Sequence, residues 1–112
     1  MNKDYTSVEQ SQKLIKLGID KTTSDMHYDK HPLENYYSPI PIIGKYSEIH
    51  DQLPCWSLMA LLEILPHGKI LLHDKGGLGY KCICNNIDTD FHDSPVDACY
   101  GMILKLNELK LL

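Results

Sequence analysis

Residues 57–84 read SLMALLEILPHGKILLHDKGGLGYKCIC, a stretch that predicts one helix followed by a β-hairpin. Ser57 can cap the helix, leucines then recur at helical spacing, and a proline ends the pattern. The hairpin consists of two β-rich runs, Lys69–His73 and Gly79–Asn85, joined by a turn over Asp74–Leu78. A helix beside a local antiparallel pair favours the α+β class over a doubly wound parallel sheet.

Another helix is predicted near the start of the chain, at about Ser7–Leu17. Thr6 and Glu9 have the T-x-x-E spacing of a capping box, in which each side chain bonds to a backbone amide of the other residue. Gly18 is the predicted stop because glycine adopts a positive φ at little cost.

The last helix has strong start signals. Ser94 can act as the N-cap, Pro95 suits the first helical position, and Asp97 is placed for a capping box. The residues expected on its buried stripe are Val96, Cys99, Met102, Ile103 and Leu106. Leucines at the end of the chain extend beyond this one face. The helix is therefore expected to pack on the sheet or on a partner subunit, which would give a homodimer through the C-terminal helix.

The region between the first two helices is rich in proline and tyrosine, and proline at this density disfavours helix and central strand. Edge strands are expected at Ser24–Tyr28 and Asn35–Ile43 with a turn over Asp29–Leu33, and a polar loop is expected at Asn86–Asp93. Together the elements predict three helices packed on one small, mostly antiparallel sheet of three to five strands, in a single domain over residues 1–112.

The composition excludes several classes of protein. The chain has 112 residues, of which 43% are hydrophobic and 23% charged, as in an ordinary soluble globular domain. Its net charge is −4 and all 11 basic residues are lysine, so the planar guanidinium that reads guanine and clamps phosphate is missing. We therefore expect no nucleic-acid partner.

No apolar run approaches the roughly 20 residues that span a bilayer, and the first twenty residues contain no uninterrupted apolar segment of a secretory signal. The expectation is a cytoplasmic protein without a membrane partner. Its four cysteines are then expected to be reduced thiols rather than disulfides.

Four segments together resemble a known group of sequences. They read SVEQSQKLIKLGI from residue 7, SDMHYD from residue 24, PCWSLMALLEILP from residue 54, and SPVDACYGMILKLNEL from residue 94. This order resembles small uncharacterised proteins of gut anaerobic bacteria and their prophage-like or mobile elements, over about three quarters of the chain. The most specific elements are the W-S-L-x-x-L-L-E-x-x-P helix and the D-A-x-x-x-M helix. Lys105 and Leu106 depart from the bulky apolar pair expected there.

The resemblance implies an α+β domain and carries no catalytic residue across to this chain. The matching positions are residue types that build helix caps and cores, namely Trp56, Leu58, Leu61, Leu62, Asp97, Ala98 and Met102. No motif in the chain predicts a cofactor.

Cys55 invites a catalytic hypothesis because it precedes a predicted helix and Trp56, as the nucleophile does in papain-like hydrolases. His73 on the following strand would act as the base, oriented by Asp74, Asn85 or His92. The residues before Cys55 do not match the papain-like C-G-S-C-W context. The alternative is a small residue packed where the chain enters the helix.

Cys82 and Cys84 share one face of the predicted hairpin, so a small zinc-binding domain is a further alternative. His73 and His92 would complete the four ligands. Thiols in a C-x-C strand are spaced less favourably than in the usual zinc knuckle. The competing interpretation is a pair of apolar thiols that face the core.

Aromatic residues concentrate around the proline-rich middle, and tyrosine and tryptophan often form recognition surfaces. The predicted partner-binding residues are Tyr28, Tyr36, Tyr37, Tyr46 and Trp56. The alternative is that these side chains cover the sheet within the same molecule. The sequence thus favours a small accessory or protein-interaction module without enzymatic activity, which binds an unidentified protein.

Overall fold

The computed structural model describes residues 4–31, 33 and 36–112, and these residues form an α+β fold. The described residues form two compact units, Tyr5–Ala60 and Leu61–Leu112 together with Asp4, and each contains a three-stranded antiparallel sheet. The predicted fold class is confirmed. The prediction of one sheet is wrong, because the six described strands are shared between two sheets. The single domain over residues 1–112 stays a prediction.

The first helix, α1, spans Val8–Lys16 and begins one residue later than its predicted capping box implies. Ser7 is the N-cap, and its box partner is the Gln10 side chain. The predicted pair of Thr6 and Glu9 is therefore wrong. The Thr6 hydroxyl is instead buried and used in tertiary hydrogen bonds.

The end of α1 follows the prediction. Gly18 adopts a φ of 90°, in the left-handed region that glycine tolerates best. The N–H groups of Gly18 and Ile19 donate to the carbonyls of Ile15 and Leu14, which is the hydrogen-bond pattern of a Schellman motif.

The first unit contains the sheet with strand order β2-β1-β3. Its strands are β1 at Met26–Tyr28, β2 at Ile42–Ile43 and β3 at Leu53–Cys55, and a 3₁₀ turn at Lys21–Thr23 precedes them. Strand β1 confirms the first predicted strand. Strand β3 is not predicted, because Pro54 argues against a strand in the sequence. In the sheet β3 lies at an edge, where a missing N–H is tolerated.

The segment before β2 runs beside the central strand with one break in its register. The Ser38 amide donates to the Asp29 carbonyl, and Ile42 pairs with His27, so residues 39–41 lie opposite a single residue of β1. Two of these three residues are prolines. This bulge shortens the predicted strand to the two residues of β2.

The predicted turn over Asp29–Leu33 starts later than expected, because Lys30 still forms a β-bridge with Tyr37. Pro32 in that turn and Asn35 at the start of the predicted strand lie outside the described residues.

The core of the first unit forms where α1 packs against β3. Its buried members are Tyr28, Leu53 and Cys55. Partly buried apolar side chains surround them, namely Tyr5, Val8, Ile15, Met26 and Tyr37.

Helix α2, Leu58–Ile64, starts at its predicted cap. The Ser57 hydroxyl accepts a hydrogen bond from the Ala60 amide, which confirms Ser57 as the N-cap. The Asp25 carboxylate in turn accepts hydrogen bonds from the backbone amide and the hydroxyl of Ser57. A residue 32 positions earlier in the chain therefore supports this cap.

The second unit contains the predicted hairpin and one further strand. Strands β4 at Ile70–Asp74 and β5 at Gly79–Cys84 pair antiparallel without a bulge, which confirms the hairpin. Strand β6 at Ile87–Asp88 pairs with β5 inside the loop that the sequence predicts. The short β6 lacks the alternating apolar pattern by which strands are recognised.

Helix α3, Pro95–Glu108, packs against β5. Ser94 accepts a hydrogen bond from the Asp97 amide, as predicted for the N-cap. All five residues of the predicted stripe are buried. Helix α3 has 14 residues, and none of the described helices is long and apolar enough to cross a membrane.

Candidate functional site

Two of the five predicted partner-binding aromatics lie in the interior. Tyr28 is 2% exposed and donates its hydroxyl proton to the Thr6 carbonyl. Trp56 is 0% exposed, and its indole N–H donates to the Thr23 hydroxyl at 2.9 Å. A protein partner cannot reach these side chains on the folded surface, so their assignment to a partner surface is wrong.

The other three tyrosines differ in exposure. Tyr36 is 48% exposed and stacks on His31, with the ring centroids 5.4 Å apart. Tyr37 is half-buried against the core of the first unit. Tyr46 is also half-buried, and its hydroxyl donates to the Glu48 carboxylate. Tyr36 is therefore the most exposed of the three tyrosines.

Isoleucines next to Tyr36 provide the larger exposed surface. Ile40 is 70% exposed, Ile42 47% and Ile43 85%. Ile42 and Ile43 are successive residues of β2, so their side chains point to opposite faces of the sheet. Each face therefore carries one exposed isoleucine at this edge. We call residues 36–43 the apolar edge segment. It contains no charged residue.

The sequence predicts the tyrosines of this segment as partner-binding residues, but it does not predict that the isoleucines are exposed. Isoleucines beside prolines, as in PIPII at residues 39–43, also occur in buried strands, so the sequence provides no signal that separates the two environments. The sheet edge and the bulge decide the exposure, and both depend on residues of β1.

Cys55 has the environment of a structural thiol. It belongs to β3 and is fully buried, with its thiol donating to the Thr6 carbonyl at 3.4 Å. Burial raises the pKa of Cys55 even though hydrogen bonds from Thr6 act in the opposite direction. The predicted nucleophile is therefore a protonated, inaccessible thiol, an environment that does not fit the catalytic role that the sequence suggests for Cys55.

We expect Cys55 to react slowly with iodoacetamide, at least about tenfold slower in the native protein than in urea, because the reagent needs an accessible thiolate. The labelling should stay slow up to pH 9, since a thiol with a raised pKa remains protonated where a free cysteine is already ionised. Peptide mass spectrometry resolves Cys55 from the other three cysteines. Native labelling as fast as in urea would contradict the burial of this thiol.

The predicted zinc ligands do not converge. Cys82 and Cys84 are buried on β5, whereas His73 is exposed and stacks on Tyr80 with the ring centroids 4.2 Å apart. His92 forms a β-bridge with Tyr80 through its backbone. Among the described residues, no group of three or more potential ligands is arranged to hold a metal ion. The zinc hypothesis for this set is wrong.

The buried thiols of the second unit instead contact one another. A hydrogen bond with Cys99 and burial both raise the pKa of Cys82. Burial raises the pKa of Cys84 to about 11. The same hydrogen bond lowers the pKa of Cys99. Cys82 and Cys84 are protonated at neutral pH and pack as small apolar residues, as the competing interpretation predicts.

An open cleft of about 500 Å³ lies beside the β4–β5 turn. Its lining residues are His73, Asp74, Lys75, Gly77, Gly79, Tyr80 and Asp93. The Asp74 carboxylate accepts a hydrogen bond from the Leu78 amide, so it is used to form the turn. The cleft therefore follows from the shape of the turn, and its polar lining lacks the apolar walls typical of small-molecule sites.

The apolar edge segment thus remains the candidate functional site. No family model matches the chain, and no curated protein and no solved structure shows significant similarity to it.

Proposed function

We propose that this protein is a non-enzymatic protein-interaction module that binds its partner through the apolar edge segment. One observation carries the proposal: Tyr36, Ile40, Ile42 and Ile43 are each at least 47% exposed within eight uncharged residues. Exposed apolar residues are normal when scattered, but a concentration of them in one short segment is typical of a protein contact site.

The segment is held in place before any partner arrives. Its backbone forms hydrogen bonds of 2.7 Å from the His31 amide to the Tyr36 carbonyl and from the Ser38 amide to the Asp29 carbonyl. Beyond the segment, the Gly44 amide donates to the Asp25 carbonyl at 2.9 Å. Ordering a loop on binding costs conformational entropy, and a segment that is already anchored avoids most of this cost.

The proposed partner is a protein with an uncharged apolar surface that accepts these side chains. Binding by addition of a β-strand is disfavoured here, because Pro39 and Pro41 have no N–H to donate and interrupt the strand. The side chains of Ile40, Ile42 and Ile43 would therefore provide the contact area.

The proposal keeps the setting that the sequence suggests. A cytoplasmic location is supported by four cysteines that are all free thiols. The resemblance to mobile-element proteins suggests a partner encoded by the same element or by its host. The proposal of a non-enzymatic function is supported by the buried, protonated state of the Cys55 thiol.

The double variant Ile40→Ser/Ile43→Ser tests the proposal. Each isoleucine would contribute roughly 1.5–3 kcal/mol when fully buried by a partner, so we expect binding at least about tenfold weaker. Immobilised wild-type protein first captures partners from a lysate of the source cells, and mass spectrometry identifies them. The identified partner is then purified, and its Kd is measured for each variant by calorimetry.

The matched control is Leu78→Ser, which removes an exposed apolar side chain from the β4–β5 turn in the other unit. This variant should bind with the wild-type Kd. Tyr36→Ala should weaken binding without loss of folding, whereas Tyr37→Ala is unsuitable because Tyr37 packs against the core. Equal Kd values for the double variant and the control would refute the proposed surface.

A further inference from the structure

Edge strands expose unpaired backbone groups, and natural proteins usually protect them with proline, charge, short length or a bulge. In the described part of the chain, the two sheets have four edge strands, β2, β3, β4 and β6. Strand β2 is two residues long and follows the proline bulge, and β3 contains Pro54. Strand β6 is also two residues long, and the Asp88 carbonyl accepts a hydrogen bond from Lys105.

Strand β4 is longer and less interrupted than the other three edge strands. Its five residues, ILLHD, include no proline, its one carboxylate is Asp74 at the last position, and its register against β5 is continuous. Among the described residues, β4 pairs with β5 alone. Its other side is therefore a regular strand edge of five residues.

The hydrogen bonds of β5 show which β4 groups face outward. Tyr80 exchanges two backbone hydrogen bonds with His92, of 2.7 and 2.6 Å, and the Cys82 carbonyl accepts from the Thr89 amide at 3.0 Å. Tyr80 and Cys82 thus direct their backbone groups away from β4. Backbone polar groups alternate in direction along a strand, so the intervening residues of β5 bond to β4.

The residues of β4 opposite Tyr80 and Cys82 are His73 and Leu71. Each forms a non-hydrogen-bonded pair with its neighbour on β5, so the N–H and C=O groups of His73 and Leu71 point to the outer edge. The outer edge therefore offers two donors and two acceptors, separated by Leu72.

The side chains at this edge are compatible with a partner. Ile70 is 50% exposed and Leu72 is 42% exposed, and both lie on the face of the sheet opposite the buried Cys82 and Cys84. His73 on the other face is exposed as well.

We propose that two copies of this chain pair antiparallel through β4, with Leu72 on the two-fold axis. In this register Leu71 pairs with His73 of the partner subunit, and His73 pairs with the partner's Leu71. The outward groups of these residues then form four hydrogen bonds. Leu72 faces the partner's Leu72 in a close non-hydrogen-bonded pair, and Ile70 lies opposite the partner's Asp74. No two like charges are directly opposed within the strand pair.

The dimer would join two three-stranded sheets into one six-stranded sheet. This interface lies in the second unit and is independent of the apolar edge segment in the first unit. Failure of either proposal therefore leaves the other intact.

A charge exchange at position 72 tests the dimer by sedimentation velocity, at protein concentrations up to about 1 mM. Leu72→Lys and Leu72→Glu each place two like charges on the two-fold axis, so each variant alone should dissociate at least about tenfold more readily than the wild type. An equimolar mixture of the two variants should restore the dimer. Because Leu72 is partly exposed, circular dichroism should show that both variants keep the wild-type fold.

Two control variants test whether a different surface forms the dimer. Leu78→Lys changes an exposed residue in the turn beside β4, and Leu111→Lys changes an exposed residue after the C-terminal helix. Both variants should remain dimeric. Loss of the dimer in Leu111→Lys with retention in Leu72→Lys would assign self-association to the C-terminal helix and overturn the proposal. A wild-type protein that is monomeric at about 1 mM, or a variant mixture that stays monomeric, would also overturn it.

A Leu72→Cys variant tests the register directly. Two cysteines in a non-hydrogen-bonded antiparallel pair have Cα atoms close enough for a disulfide. With oxidised glutathione as the oxidant, Leu72→Cys should form a disulfide-linked dimer on a non-reducing gel, and Leu78→Cys should not. A monomeric Leu72→Cys band under these conditions would contradict the proposed axis.

Discussion

Trp56→Ala is expected to lower the free energy of unfolding by about 3–5 kcal/mol, the usual cost of removing a fully buried aromatic side chain. Trp56 is the largest fully buried side chain of the described residues. Its removal leaves a cavity and also abolishes the hydrogen bond between the indole N–H and the Thr23 hydroxyl. Since small domains are stable by only about 5–15 kcal/mol, a large part of the total stability would be lost.

Urea unfolding followed by far-UV circular dichroism measures this change, because the variant lacks the only tryptophan that fluorescence could report. Trp56→Phe is the matched control. It keeps much of the buried apolar volume and loses the hydrogen bond to Thr23, so it should cost clearly less than the alanine variant. A Trp56→Ala protein as stable as the wild type would show that Trp56 does not pack in the interior.

Gly79→Ala is expected to lower the free energy of unfolding by at least about 3 kcal/mol, since two separate penalties add at this position. Gly79 has a φ of 101°, which an alanine rarely adopts. A Cβ atom there would also lie 2.2 Å from the His92 carbonyl oxygen. That oxygen accepts the hydrogen bond from the Tyr80 amide, so relief of the clash would break the bridge beside β5.

Gly77→Ala separates the two penalties. Gly77 has a similar φ of 104°, but a Cβ atom there would meet nothing within 4 Å. Gly77→Ala should therefore lower the free energy of unfolding only by the cost of the unfavourable backbone conformation, about 1–2 kcal/mol. Urea unfolding of both variants, followed by circular dichroism, provides the comparison. Equal losses of stability in Gly77→Ala and Gly79→Ala would contradict the close approach to His92.

Features that depend on neighbouring residues were predictable from the sequence. The Ser94 cap, the Gly18 stop and the Ser57 cap all follow from local spacing, because a helix terminus satisfies its amides within three or four residues. The hairpin is predictable for the same reason, since its two strands are adjacent in the chain. The stripe of α3 follows from helical periodicity alone.

Features that depend on distant residues were not predictable. Thr6 has the spacing of a capping residue, but its hydroxyl binds the Trp56 amide, 50 positions away, and Ser7 takes over the cap. Pro54 argues against a strand until the sheet places it at an edge beside His27. Such choices depend on tertiary neighbours that local spacing does not reveal.

The candidate site shows the same division. The tyrosine-rich middle is visible in the sequence, yet Tyr28 is buried and Tyr36 is exposed, although both are tyrosines within eight positions of one another. Residue type sets the free energy gained by burial but does not say which side chain is covered. Neither the exposure of Ile43 nor the position of β4 at a sheet edge has a sequence signal, because both follow from which strand lies next to which.

By itself, then, the sequence determined the fold class, the three helices with most of their ends, and the hairpin, because these are set by periodicity and by contacts within a few residues. Only the tertiary structure decided that the six described strands form two sheets, that Cys55 and Trp56 are buried, and that the apolar edge segment and β4 face outward. The physical reason is that burial and strand pairing join residues far apart in the chain.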